Sequence, residues 1–454
     1  MTGSYNTGGN AAIIEGARVA RALLAMRRAY RRATQIAARP RQGRAFLFGL
    51  IGLRAKPSLL FIVAATMSLA ATPRWQHLSS KTGDLPVPGE STQQTGVVVA
   101  DFDQDGLNDF VLSFRQKPPA LVWYRRARQG WTRQVIEQEY LTVEAGGAVH
   151  DIDSDGDLDL VFGGDWQSQK VWWWENPYPQ YDPAISWKRH TIKDGGEKQH
   201  HDQIFGDFLG TGKAQLAFWN QGAKKLFLAE IPHEPRTASA WTYTEIFSGE
   251  RGEGIAAADI DGDGKRDLLA GSYWFKHSGG SIFKPVRVAS NGGLIAAARL
   301  KAGRYPQIVI SSGDGVGPLM WYECAGDPSE PSAWVGHDLA GRDVVHGHSL
   351  QIADIDQDGN LDVFCAEMAK WTEKRSDPDN PGATAWIFYG DGKGGFTKRE
   401  FATGFGFHEA RVADLDGDGD HDVLDKPYNW EVPRIDVWLQ NGTGRLLKRS
   451  IRKD

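Results

Sequence analysis

The chain of 454 residues is 41% hydrophobic and 24% charged, which excludes wholesale disorder and a polytopic membrane protein. Its 2 Cys cannot build a disulfide framework, so something other than sulfur must brace the fold. The formal charge of −5 is unevenly spread: residues 1–57 carry 11 Lys and Arg against Glu15 alone, leaving an acidic body that is a poor nucleic-acid binder.

Residues 54–72 have the layout of a signal peptide. Arg54 and Lys56 are positive, residues 59–69 are mostly apolar, and Ser68-Leu69-Ala70-Ala71 offers small residues for cleavage. The apolar run falls short of the roughly 20 residues a spanning helix needs, so no stable transmembrane anchor is expected. Residues 1–72 are therefore read as an Arg-rich leader with its signal, ahead of a secreted or periplasmic body at 73–454.

One pattern then recurs to the end of the chain: an apolar strand, the nine-residue loop D-x-D-x-D-G-x-x-D, and a second apolar strand. Complete loops carry Asp101, Asp103, Asp105 and Asp109; Asp151, Asp153, Asp155 and Asp159; and Asp259, Asp261, Asp263 and Asp267. Two more carry Asp354, Asp356, Asp358 and Asp362, and Asp414, Asp416, Asp418 and Asp422. Degenerate copies at 207–215 and 299–307 keep the length and lose acids. Seven units, 40 to 60 residues apart, each have room for four short strands, and the second shows them at 147–151, 160–163, 171–175 and 187–192. Such units cannot bury a sheet alone and must stack radially, which predicts an all-β, seven-bladed β-propeller of four-stranded antiparallel blades, expected to be a monomer. Aspartates two residues apart point the same way and the Gly permits a sharp turn, so the five intact loops predict Ca²⁺ sites that clamp the first two strands of a blade.

These repeats resemble the FG-GAP and VCBS repeats of integrin-like and bacterial secreted propellers over roughly residues 90–454. The resemblance implies the fold and calcium. It does not select a function, since such propellers include adhesins, carbohydrate binders and enzymes.

Aligning the repeats on the first loop position reveals a second register. Six residues earlier stand Thr95, Ala145, His201, Glu253, Gly293, His348 and His408, although the chain has only 12 His. This address begins the innermost strand, beside the channel and at the end away from the loops. His201, Glu253, His348 and His408 are thus candidate ligands for Zn²⁺ or another transition metal, with blades three and six expected to stand too far apart for one ion to reach all three histidines. The same groups without metal are candidate bases and acids. His200, His346, Glu409 and Arg411 lie close in sequence, and His150 is expected to be structural. Loops after the second strands supply candidate sugar contacts at Asp165, Trp166, Trp371, Lys426 and Trp430, with Tyr273 and Tyr428 as candidate acids.

No phosphate-cradling loop, nucleophile elbow or CxxC pair is present, and Cys324 and Cys365 are expected as free thiols. The leading expectation is a carbohydrate-active lyase or dehydratase that works by β-elimination, as in the propeller lyases and keto-sugar dehydratases whose architecture this chain resembles. A base would be His201 or His348, the acid Tyr428 or Tyr273, and the enolate stabiliser Arg411 or a bound metal. The rival is a non-catalytic glycan- or protein-binding propeller; a quinone-dependent sugar dehydrogenase has no specific support.

Overall fold

Twenty-eight strands form seven four-stranded antiparallel sheets in the computed structural model, which describes residues 73–369, 379–429 and 431–442. The expected leader and its cleavage site, together with Trp371 and Trp430, lie outside the described residues. Innermost strands of successive blades touch one another all the way round, from Gln94–Ala100 of the first blade to Arg411–Ala413 of the last. The ring is closed. Among the described residues the helical content is one short 3₁₀ turn at Pro331–Ala333, and no helix is long and apolar enough to cross a membrane.

Every blade has two apolar faces, because each strand sends alternate side chains to opposite sides. In Lys170–Glu175, Trp172 and Trp174 pack toward the first blade, while Val171 and Trp173 pack toward the third. Consecutive apolar residues in these strands follow from burial on both faces. The core accordingly divides into seven clusters, one at each interface between neighbouring blades. An aromatic residue at or just before the start of each outer strand anchors it on the preceding blade. Trp131, Trp187, Trp241, Phe283, Trp334 and Phe396 fill this role in blades one to six.

The seventh blade departs from the expectation that each repeat supplies its own four strands. Its outer strand is Trp75–Ser79, from the start of the described chain, paired antiparallel with Asp436–Gln440. Trp75 is the seventh outer-strand aromatic, edge-on to Phe401 at 5.0 Å. Buried Asp436 holds the joint, bonded to His77 at 2.8 Å and to the Arg434 guanidinium at 2.6 and 2.9 Å. Trp75→Ala is expected to cost about 2–3 kcal/mol of unfolding free energy, less than a fully buried Trp because Trp75 is half-buried. Equilibrium denaturation measures it, and a change under about 0.5 kcal/mol would mean that closure does not depend on this strand.

The acidic loops join the first and second strands of their blades, at the channel end opposite the histidine register. The first Asp caps the turn: Asp101 accepts the amides of Asp105 and Gly106 at 3.1 and 2.9 Å, and Asp354 and Asp414 make the equivalent bonds to Gly359 and Gly419. The ninth Asp is buried and ties strands together. Asp159 accepts Ile152 N–H and Asn176 N–H, both at 2.9 Å, and Asp362 and Asp422 repeat the pair. In the degenerate blades Gln215 and Gln307 take over the bond to the turn with a side-chain carbonyl at 2.9–3.1 Å from the amides of Phe208, Leu209 and Lys301. The ninth position is thus a hydrogen-bonding brace in its own right, kept where the loop has lost its acids. Carboxylate oxygens of Asp101, Asp103 and Asp105, of Asp151, Asp153 and Asp159, of Asp259, Asp261 and Asp263, and of Asp354, Asp356 and Asp362 lie within 4.8 Å of one another in each loop, near enough to share an ion. Basic side chains from the blades lean on the third position: Arg125 on Asp103, Arg236 on Asp153 at 2.8 Å and Lys276 on Asp261 at 3.1 Å.

Burial pushes the pKa of Asp109, Asp267 and Asp362 up to about 7, and that of Asp159 and Asp422 up to about 8. A carboxyl with a raised folded-state pKa stabilises the fold fully below its unfolded value and loses that contribution as pH rises through the folded value. Chelator-treated protein should therefore melt lower at about pH 8 than at about pH 5. Calcium taken up by the ionised carboxylates should raise the melting temperature most at the higher pH. Calorimetry with and without calcium checks this; equal calcium stabilisation at both pH values would contradict it.

Candidate functional site

The channel end away from the acidic loops gathers the register residues. The inward side chains of His201 and His348 cross the axis of the channel, and their rings stand 5.8 Å apart. Although blades three and six face each other across the ring, the channel is narrow enough here for their histidines to meet. His408 stacks on His348 at 4.7 Å and 26°, with Tyr428 5.1 Å beyond it. Glu253 Oε2 lies 3.6 Å from His348 Nε2.

Blade five reaches the same place by another route. Its register residue is Gly293, where a Cβ would meet Ser311 O at 2.1 Å, because the loop at 311–315 occupies that space. The loop delivers Asp314, whose amide donates to Glu253 Oε1 at 2.6 Å and whose Oδ1 lies 3.7 Å from His348 Nε2. Gly313, at φ +53°, permits the approach; a Cβ there would stand 1.6 Å from Glu253 Oε1. His346 secures the loop, bonded to Asp314 O at 2.7 Å and to Asp379 at 3.0 Å.

The residue after the register position adopts a left-handed backbone in several blades. Gly146 and Gly254 do so at no steric cost, but Asp202 and Glu409 also sit there, at φ 45° and 55°. Their carboxylates face the histidines. Asp202 Oδ2 is 2.7 Å from His201 Nδ1 and also accepts Gly254 N–H at 2.7 Å, while Glu409 Oε1 is 3.4 Å from His348 Nδ1.

The electrostatics follow from this packing. Burial opposes charge on His201, but the Asp202 carboxylate outweighs it and lifts the pKa to about 9. Burial opposes charge on His348 too, yet Glu253 and Glu409 hold its pKa well above the imidazole range. His408 goes the other way, held well below that range by burial and by the neighbouring Lys426 and His348. Glu409, although buried, is kept well below the usual carboxylate range by His348 and Arg411.

A cavity of about 180 Å³ opens over this cluster, lined by His201, His348, His408 and Tyr428 together with Arg115, Arg251 and Asp314. A second cavity of about 330 Å³ adjoins it, sharing Gln221, Arg251 and Asp314 and adding Glu253 and Tyr273. Arg115 is paired with Glu144, and Arg251 donates to Gln221 Oε1 at 3.0 and 3.2 Å. Arg115, Arg251, Asp314 and Asp202 are site residues that the sequence reading missed. Asp202 and Arg251 were within reach of it, one residue after and two residues before register positions.

Other expected site residues are placed differently. Arg411 commits its guanidinium to Glu409 at 2.9 Å and to the Glu409 and Ala410 carbonyls, so it stands behind the histidines and does not line the cavity. Lys426 is fully buried, donating to Gln94 O at 3.3 Å and His408 O at 3.0 Å and lying 2.6 Å from His408 Nδ1. It ties the last blade to the first and is not a surface contact for a sugar; burial pulls its pKa well below the ammonium range. Asp165 is buried and accepts Gln167 N–H at 2.8 Å, a turn cap. Trp166 is half exposed at the rim, with the Arg115 guanidinium 5.0 Å from its ring. Tyr273 donates to Glu250 Oε1 at 2.7 Å. Cys324 and Cys365 are free thiols as expected.

The FG-GAP-like repeat profile matches residues 354–424, and the FG-GAP repeat profile matches residues 251–283. The chain carries FG-GAP repeats. No curated protein matches it. Among solved structures it is similar to BBS1N, crystallised in complex with ARL6DN, at 12% identity and a TM-score of 0.48, covering 81% of this chain and 96% of that one. It is also similar to the rhamnogalacturonan lyase YesW, at 15% identity and a TM-score of 0.43, covering 77% of this chain and 72% of that one. The biofilm matrix protein Bap1 of V. cholerae matches at 9% identity and a TM-score of 0.37, over 78% of this chain and 68% of its own. Likeness at these levels says nothing about the chemistry of the site.

Lys426→Met keeps the length of the side chain but leaves the Gln94 and His408 carbonyls without their donor. The expected cost is about 2–3 kcal/mol in denaturant unfolding with an unchanged m-value. A cost near zero would show that water serves those carbonyls equally well.

Proposed function

We propose that the protein is an exported, calcium-stabilised propeller that acts on an oxidised sugar or uronate by β-elimination at its channel mouth. The observation that carries this reading is one cavity of about 180 Å³ lined together by two guanidiniums, a phenol, two carboxylates and three imidazoles. Arg115 and Arg251 supply positive charge that suits the carboxylate of a uronate, bound through the guanidinium N–H groups not taken up by Glu144 and Gln221. They take the place expected for Arg411 in stabilising the enolate-like charge that develops there.

One proton acceptor and two donors face the same space. The Asp314 carboxylate is the acceptor; His201, held as an imidazolium with Nδ1 bonded to Asp202, offers its Nε2–H as a donor. Tyr428 supplies a hydroxyl. In the reaction, an acceptor takes the proton from the carbon next to the carboxylate or carbonyl. The C–H electron pair becomes the C=C bond, the C–O bond to the leaving group breaks, and the leaving oxygen takes a proton from Tyr428.

The reading predicts a kinetic division of labour. Arg251→Ala should raise KM at least tenfold and also lower kcat, because it loses both substrate and enolate contacts, whereas Tyr428→Phe should lower kcat about a hundredfold with little change in KM. Ultraviolet absorbance of the conjugated alkene, across a panel of uronate oligosaccharides and keto-sugars, provides the assay. The half-exposed Trp166 with Arg115 on its ring favours a second reading, a glycan-binding propeller without catalysis. That reading prevails if no substrate gives an alkene and glycan binding is lost in Trp166→Ala but kept in Tyr428→Phe.

A further inference from the structure

We infer that His201, Glu253 and His348 hold one divalent transition-metal ion at the channel mouth, distinct in place and chemistry from the aspartate loops. One ligand atom from each of the three lies within 4.8 Å of the others. His348 is 1% exposed, and its Nε2 stands 3.6 Å from Glu253 Oε2 and 3.7 Å from Asp314 Oδ1, too far for a hydrogen bond to either. Ligands bound to one ion at about 2.1 Å in tetrahedral geometry stand roughly 3.4 Å apart, close to this spacing.

The groups behind the three ligands point the same way. Histidines that bind a metal through one nitrogen present the other to a carboxylate or carbonyl, which fixes the ring and strengthens the ligand. Both histidines here have that partner: Asp202 at 2.7 Å from His201 Nδ1, and Glu409 at 3.4 Å from His348 Nδ1. Both partners are more than nine-tenths buried and sit in a left-handed backbone that glycine takes in blades two and four, a strain that the fold sustains where the carboxylate is needed. Buried His348 Nδ1 and Glu409 Oε1 face each other without completing a hydrogen bond. Glu253 is oriented likewise: its Oε1 accepts Asp314 N–H at 2.6 Å, which leaves Oε2 to face His348.

Two imidazoles and one carboxylate suit Zn²⁺, Mn²⁺, Co²⁺ or Fe²⁺ and not Ca²⁺, which prefers an all-oxygen shell. His408 is not a ligand in this arrangement, because its Nδ1 lies 2.6 Å from Lys426 Nζ and its ring stacks flat on His348. The fourth position opens on the cavity lined by Arg115, Arg251 and Tyr428. The inference deepens the proposed function at the same site. With both histidines holding the ion, Asp314 is left as the proton acceptor and the ion shares the substrate's negative charge with the arginines.

The test uses the full chain saturated with calcium, so that the aspartate loops do not compete, and titrates it with Co²⁺ followed in the visible spectrum. One Co²⁺ per chain is expected, with bands of mixed nitrogen and oxygen ligation that Zn²⁺ abolishes. His348→Ala should weaken uptake beyond a hundredfold, and Asp202→Asn and Glu409→Gln by about 10- to 100-fold, each read on calcium-saturated protein that still melts cooperatively. Absence of uptake in the calcium-saturated wild type overturns the inference. So does uptake that persists in a His201→Gln, His348→Gln double variant, which retains polar bulk if His348→Ala fails to fold. Alkene formation undiminished in metal-stripped protein refutes the ion's catalytic role and leaves the uronate reading intact. Co²⁺ uptake with these properties in a protein inert toward every uronate leaves the metal site standing and removes the substrate reading.

Discussion

Everything in this molecule depends on the need to cover both faces of every blade. A four-stranded sheet with apolar side chains on both sides has no stable existence in water, and one neighbour covers only one face. The alternation of Trp172 and Trp174 against Val171 and Trp173 shows the demand within a single strand. Open stacking of such sheets would leave two uncovered faces at the ends, so the ring must close on itself. The strand Trp75–Ser79 completes the last blade and thereby joins the two ends of the described chain in one sheet. Asp436, with Arg434 and His77 around it, supplies the polar half of that joint inside an otherwise apolar wall.

Closure has a chemical consequence. Seven inner strands packed round one axis bring seven equivalent positions to the mouth of a channel too narrow for all of them to stay apart. His201 and His348, on blades facing each other across the ring, come within 5.8 Å. Concentrating charged and polar groups in so small a space is tolerable only if each finds a partner. The network supplies them: Asp202 for His201, Glu409 for His348 and Arg411 for Glu409. The opposite end of the channel is simpler, because there each loop is a local turn capped by its own first aspartate and braced by its ninth.

Gln215 and Gln307 show how these layers of design separate. The first of their loops keeps only Asp207 and the second keeps no acid, yet the ninth position still carries a side-chain oxygen for the amides of the turn. Bracing the turn and binding a cation are therefore different tasks that happen to share a residue in the intact loops. The strain at Asp202 and Glu409 is placed by the opposite logic, in a backbone conformation that bracing alone would assign to glycine, as at Gly146 and Gly254.

Local spacing alone determined the number of blades, the four strands of the second blade to within about two residues and the register of the channel residues, because a repeated turn with alternating apolar strands has one way to bury its faces. It also made His201, Glu253, His348 and His408 visible as one address. It did not reveal the closing strand, since Trp75 stands more than 350 residues from its partner Gln440 and belongs to no repeat. Nor did it place Arg115, Arg251 and Asp314, whose side chains leave other registers and meet the histidines only across the ring. Arg411 read as an enolate stabiliser and Lys426 as a sugar contact in sequence, and both became internal struts in the fold, because their partners, Glu409, His408 and Gln94, were fixed by packing. The repeat settles what is local to a blade, and only the closed ring settles which side chains share the axis.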